Sequence, residues 1–204
     1  MDLTDIRSLP NSLRDKITTI NLATGETLFT QGDRASTFYV VNSGIVKLVR
    51  YLDGGKISTL EIVRASQSIA EAALFADIYL CTAIAEIDSE VIAYPQEELL
   101  KVLREYPDLA EEFMAMLVRR IQLLRFNLEL RDIRIAHERV LKYLRHLVNF
   151  PETTTVILDR PLKEIAGDLG FTPETLSRAL IRLETDGAIA RQERIITLYN
   201  NSAA

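Results

Sequence analysis

The stretch Pro161–Leu183, PLKEIAGDLGFTPETLSRALIRL, decides the architecture of the C-terminal part of this chain. Leu162, Ile165, Ala166 and Leu169 recur at helical spacing, which predicts a short helix with one apolar face. Gly170 follows, a residue free to take the positive φ at which helices end. Thr172 is a good N-cap for a second helix, and Pro173 sits at its first position, where a missing N–H costs nothing. That helix buries Leu176, Ala179, Leu180 and Leu183 and turns Glu174, Thr175, Ser177 and Arg178 outward. The layout is that of a helix-turn-helix, whose second helix sets its first turns against base edges in the major groove. An ordinary helical hairpin with a solvated charged face produces the same local pattern.

The outward residue types suit base reading. Arg178 can donate a fork of two bonds to guanine, and Glu174 can accept from a cytosine amino group. Ser177 and Thr175 can bond bases or phosphates, and the threonine methyl can meet a thymine methyl. Thr172 and Arg182 flank this set and complete the candidate DNA-binding residues.

Composition bounds the rest. The 204 residues leave room for one large domain or two small ones. Hydrophobic residues make up 48% and charged residues 26%, a globular balance. Apolar runs are too short to span a bilayer, and MDLTDIRSLPNSLRDK at the N-terminus carries no apolar secretion core. Cys81 is the only cysteine, which excludes an internal disulfide and a four-cysteine iron–sulfur cluster. A reduced, cytoplasmic protein is expected, with no membrane partner. The net charge of −5 is uneven: ten basic residues face nine acidic ones from position 134 onward, against fourteen and twenty before it. A near-neutral DNA-binding part must gather its cations on one face, with Arg139, Lys142, Lys163, Arg178, Arg182, Arg191 and Arg194 as candidates. Modest affinity from one such part argues for a dimer.

Upstream, a helix is expected from about Pro10 to Ile20. Short alternating runs then predict strands at Thr27–Phe29, Phe38–Val41, Val46–Tyr51, Lys56–Ile62, Thr82–Ile87 and Glu90–Tyr94, with Asp53-Gly54-Gly55 as a hairpin turn. Glu97–Glu105 reads as a short helix, and Pro107 to about Ile133 as a long one. On the long helix Leu109, Met116, Leu123 and Leu130 recur every seven residues, while Phe113, Leu117, Ile121, Leu124 and Leu128 widen the stripe. A helix packed wholly on its own domain is the commoner use of such a stripe. Its breadth favours one side against the β-rich part and the other against a second copy. The expected dimer residues are Leu109, Phe113, Met116, Leu117, Arg120, Leu123, Leu124 and Asn127, with the polar Arg120 and Asn127 fixing register. A helix over 136–149, a strand over Thr154–Leu158 and a hairpin of Ala188–Arg191 with Ile195–Tyr199 complete the reading. The joint between domains is expected around Leu130–Ile135.

In this order the sequence resembles the CRP/FNR family of bacterial transcription regulators along nearly its whole length. The resemblance rests on Gly25-Glu26-x-Leu28-Phe29-x-Gln31-Gly32-Asp33, on Phe38-Tyr39-x-Val41-x-Ser43-Gly44-x-Val46-Lys47, on Ile69–Phe75, on Tyr106-Pro107-Asp108, and on Glu174, Ser177 and Arg178. It implies an α+β fold: an N-terminal jelly-roll-like β-roll over 1–106, a dimerisation helix and hinge over 107–133, and a winged helix-turn-helix over 134–204. It also implies a homodimer bound to double-stranded DNA, with RNA polymerase as the partner of an activator. Pro173 stands where readers of TGTGA half-sites carry an arginine, so TTGA-type half-sites are expected.

The departures from the family pattern concern the effector. Family members that bind cyclic nucleotides open the phosphate cassette with Gly-Glu and carry an Arg-Ser pair about ten residues on. Here Ala70 precedes Glu71, and Cys81-Thr82 stands in place of the pair. Leu124 falls at a position that bonds the base. A phosphate leaving water would lack its counter-charge, so cyclic AMP is not expected. Arg120 is the other candidate effector-pocket residue, as a cation reaching in from the long helix. No catalytic set, metal site or cofactor is expected. Haem is the alternative, since the cassette and the Pro173–Arg178 wording resemble the haem-binding, nitric-oxide-responsive branch, but His137 and His146 lie on the helix over 136–149. An unknown small-molecule effector, a ligand-binding module without a DNA role, and an enzyme are the other readings.

Overall fold

A computed structural model describes residue 3 and residues 5–148, 154–158 and 160–199. A 3-10 turn (Ile6–Ser8) and one helical turn, α1 (Asn11–Arg14), precede eight strands: β1 (Thr18–Leu22), β2 (Thr27–Phe29), β3 (Thr37–Ser43), β4 (Ile45–Tyr51), β5 (Ile57–Arg64), β6 (Ser68–Ile69), β7 (Thr82–Ala85) and β8 (Ser89–Pro95). Helices α2 (Gln96–Glu105), α3 (Pro107–Asp132) and α4 (Ala136–Leu147) follow. Then come β9 (Thr155–Ile157), α5 (Leu162–Asp168), α6 (Pro173–Thr185), β10 (Ile189–Gln192) and β11 (Ile195–Leu198). Two compact units result, Met1–Leu117 and Val118–Ala204. Among the described residues no helix is long and apolar enough to cross a membrane.

The first unit is a β-roll of two antiparallel four-stranded sheets, ordered β1-β8-β3-β6 and β2-β7-β4-β5. Successive side chains of a strand face opposite ways, so a strand covered on both faces reads as an unbroken apolar run. Phe38-Tyr39-Val40-Val41 on β3 is such a run, and all four residues are buried. Tyr39 and Val41 join the core with Phe29, Val46, Leu48 and Val91, whereas Phe38 and Val40 meet Leu13, Leu99 and Phe113 in a second cluster. Gly44 turns β3 into β4 at φ +90, and a Cβ there would stand 2.3 Å from the Ser89 hydroxyl, so no other residue fits.

The helix expected over Pro10–Ile20 is corrected. Only Asn11–Arg14 is helical, and Thr18–Leu22 is a strand paired with β8 from Thr18↔Ala93 to Leu22↔Ser89. The β-branched Thr18, Thr19 and Ile20 favour extended backbone, and pairing satisfies an edge of β8 that would otherwise be open. The two-residue β6, paired with β3, was not anticipated.

The second unit packs α4, α5, α6 and a small sheet ordered β10-β11-β9 around Val140, Leu144, Ile165, Leu176, Leu180 and Ile196. Gln192 pairs with Ile195, which leaves Glu193-Arg194 as the tip of the wing. Leu130 is buried in this same core, with Phe126 and Ile133 packed against it. The last turns of α3 are therefore built into the C-terminal unit. The units divide inside α3, upstream of the 130–135 segment expected as the joint.

Candidate functional site

The outward face of α6 is set by its start and by what it buries. The Thr172 hydroxyl accepts from the Thr175 amide at 3.2 Å, with Pro173 at the first helical position. Gly170 holds φ +68 in the turn, and the Phe171 amide closes it on the Ala166 carbonyl at 2.7 Å. Leu176, Ala179, Leu180 and Leu183 are buried at spacings of three and four. The opposite face exposes Thr172, Glu174, Arg178 and Arg182, with Thr175 and Ser177 half-buried beside them. Ile181 shares that face at 52% exposure, one turn beyond Arg178. The sequence reading missed it, although its spacing from Ser177 and Arg178 marks the position; an apolar side chain there can meet thymine methyls.

The charges on this face are ordered. The Glu174 carboxyl is held below the usual carboxylate range by its own backbone amide, by the Thr172 hydroxyl and by Arg178. It is ionised at neutral pH and able to accept hydrogen bonds. Arg178 makes one long bond, Nε to the Glu174 carbonyl at 3.4 Å, and its side chain is exposed. Arg182 is paired with Asp186 at 2.8 Å. Of the other cations proposed for this face, Lys142 pairs with Glu129 at 2.8 Å and Arg191 with Glu184 at 3.6 Å. Arg139 turns inward onto main-chain carbonyls. Lys163 is exposed on α5, and Arg194 is exposed at the wing tip.

The β-roll holds a cavity of about 130 Å³ lined by Phe29, Leu48, Ala70–Ala73 and Ile78–Cys81. Ala70 takes φ +66, a conformation that costs a residue with a Cβ about 1–2 kcal/mol. The Glu71 carboxylate accepts from the Ser68 hydroxyl at 2.6 Å. The Cys81 thiol is pushed up by burial, an effect Arg50 opposes and Glu71 and Glu61 reinforce. Arg50 is a second functional candidate that sequence reasoning missed. Pairing of Val49 with Thr82 brings it beside Cys81, and its Nε donates to the Leu80 carbonyl at 3.3 Å. Thr82 is buried, and its hydroxyl accepts from the Gln31 amide at 2.9 Å. Arg120 and Leu124, expected at this site, belong to the C-terminal unit. His146 stacks on Phe126 with centroids 3.6 Å apart, and His137 is half-buried on α4.

Helix α3 carries two apolar faces. Phe113 is buried in the β-roll's second cluster, and Leu109, Met116 and Leu117 pack against it. Packing inside one chain thus occupies Phe113, which was expected to meet a second copy. Leu123 and Arg120 are half-buried and Asn127 is exposed. Met114, Val118, Ile121, Leu124 and Leu128 are all between 39% and 60% exposed. Met114, Ile121 and Leu128 form a seven-residue repeat of their own, two positions before the heptad most visible in the sequence.

Comparison with known proteins places both units. Residues 19–106 match a family model described as a cyclic nucleotide-binding domain, and residues 138–201 match a Crp-like helix-turn-helix domain. The cyclic AMP receptor protein of Thermus thermophilus is 30% identical over 166 residues, covering 81% of this chain and 76% of that protein. The transcriptional activator protein FnrA of Stutzerimonas stutzeri is 26% identical over 185 residues, covering 88% and 76%. The structure of FixK2 from Bradyrhizobium japonicum superposes with a TM-score of 0.61 at 24% identity, over 90% of this chain and 93% of that one, a likeness of fold.

Proposed function

This chain belongs to the CRP/FNR family of transcription regulators, and from that premise we propose that it binds palindromic TTGA-type half-sites as a homodimer and does not respond to cyclic AMP. It is a DNA-binding transcription regulator rather than an enzyme. The observation that carries the specific reading is the outward face of α6. Glu174 and Arg178 stand one turn apart, both exposed, on a helix whose other face is fully committed to the core. Ser177 and Ile181 lie between and beyond them, and Pro173 offers no donor at the position before Glu174. Selection from random duplexes tests it. Enrichment of paired TTGA half-sites about one helical turn apart is expected. Enrichment of TGTGA, or of a single unpaired site, overturns it.

A second copy is the occupant we assign to the exposed face of α3. Met114, Ile121 and Leu128 with Leu124 make a heptad seam of the kind that joins two helices, and two recognition helices are what a palindrome requires.

The effector reading differs from what the name of the Thermus relative says of that protein. Three features support the difference. The cavity, about 130 Å³, falls below the ~300 Å³ at which ordinary ligand pockets begin. Cys81 and Thr82 place no cation where a phosphate would need its counter-charge. Ala70 adds a methyl where a phosphate would approach the backbone. Arg50 is the cation nearest this chemistry, yet it acts on the Leu80 carbonyl and does not line the cavity. Calorimetry with cyclic AMP and cyclic GMP is expected to show no saturable heat at physiological concentrations. Micromolar binding, abolished by Arg50→Ala, would overturn this and name the phosphate partner.

A further inference from the structure

Arg139 reads in the sequence as one more cation for DNA, but its geometry assigns it elsewhere. It lies on α4 and directs its whole guanidinium at main-chain carbonyls. Nε donates to the Ile133 carbonyl at 2.8 Å, and Nη2 donates to the same oxygen at 2.6 Å and to the Arg131 carbonyl at 3.3 Å. Nη1 donates to the Leu169 carbonyl at 2.9 Å, and the guanidinium carbon stands 4.6 Å from the centre of the Phe171 ring. Arg131 and Ile133 mark the end of α3, and Leu169 caps α5. Such terminal carbonyls have no partner within their own helix and carry the negative end of its dipole, so a charged fork is a strong partner for them. Phe171 lies in the turn that enters α6, next to the Thr172 cap.

We infer that Arg139 is a positioning residue for DNA recognition, which fixes the helix-turn-helix turn to the last turn of α3 and so holds the start of α6 in place within the C-terminal unit. The inference rests on the DNA-binding reading above and concerns how the reading helix is aimed. Other contacts hold α4 on α3: Phe126 stacks on His146, Lys142 pairs with Glu129, and Leu130 is buried in the shared core. Loss of Arg139 therefore frees the turn while leaving the helix pair in place. Lysine cannot replace it, because one ammonium on a flexible stem neither forks between two helix ends nor stacks flat on a ring.

The test uses the full chain as wild type, Arg139→Lys and Arg139→Met, each at a temperature where circular dichroism shows it folded. Affinity is measured for the selected duplex and for a scrambled one across a salt series. Both variants are expected to lose about tenfold in the ratio of specific to non-specific affinity, the scale of one mismatched base pair. Arg139→Lys is expected to keep the non-specific affinity and the salt slope of wild type. Hydrogen exchange at the Gly170 and Phe171 amides is expected to quicken in both. Should Arg139→Met not fold, Arg139→Lys decides alone. A wild-type ratio in Arg139→Lys overturns the inference and leaves the DNA reading intact. So does a salt slope lowered by about one in Arg139→Met at an unchanged ratio, which would mark a phosphate contact. A wild-type chain without sequence preference overturns both.

Discussion

Replacing Ile121 and Leu128 together by glutamate is expected to convert the protein to a monomer and to lower its affinity for a palindrome by about 10²–10⁴-fold, the avidity gained by linking two sites. Both residues lie on the exposed face of α3, at 54% and 60% exposure, so neither supports the fold of its own chain. Across a two-fold axis each meets its own counterpart or a near neighbour. The substitutions would bury like charges without partners, at a cost on the order of several kcal/mol per ion. Sedimentation velocity reads the mass, and circular dichroism and thermal melting are expected to stay at wild-type values. The choice of positions is what makes the experiment discriminating. A charge at Phe113 or Leu130 would strike a buried residue and unfold a domain, giving a loss of DNA binding with no bearing on the interface. A double variant that remains dimeric would place the interface away from this seam.

The reading of the recognition helix was legible because its signals are local. Gly170, Thr172 and Pro173 each act on their own backbone, and the core spacing of Leu176–Leu183 needs no knowledge of the neighbours. The β-roll strands were legible for the same reason, through alternation and turns. Thr18–Leu22 was not, because its state is set by β8, more than sixty residues away, which offers it a ladder of five paired positions. The same limit hid the seam on α3. A stripe as broad as that of residues 109–130 has several phases, and only the packing of Phe113 and Leu130 into two different cores tells which faces are already taken. Arg50 carried no signal at all, and Arg139 read only as one more surface cation. Register between β4 and β7 brings the first to Cys81, and the meeting of two helix ends absorbs the second.

Replacing Arg178 by alanine is expected to cost about 1–3 kcal/mol at each half-site and so about 2–6 kcal/mol for a dimer on a palindrome, since well-separated positions add. The free protein gives up little by comparison. Arg178 is exposed, and its Nε holds a long bond to the Glu174 carbonyl at 3.4 Å, so its fork can reach a guanine at the cost of a weak contact. Arg182 differs, because it must first leave Asp186 at 2.8 Å, and a smaller loss is expected there. The buried side of α6 is untouched by the change, so the melting temperature should not move. Preference should relax at the guanine position while the neighbouring pair, read by the ionised Glu174, stays selective. Arg178→Lys separates charge from geometry. It keeps the attraction to phosphates and the salt slope, but loses the two parallel bonds that distinguish guanine. Affinity of both variants for the selected duplex and for duplexes altered one base pair at a time reads all of this. A uniform loss over every sequence, recovered by lysine, would make Arg178 a phosphate contact and move base reading to another face of α6.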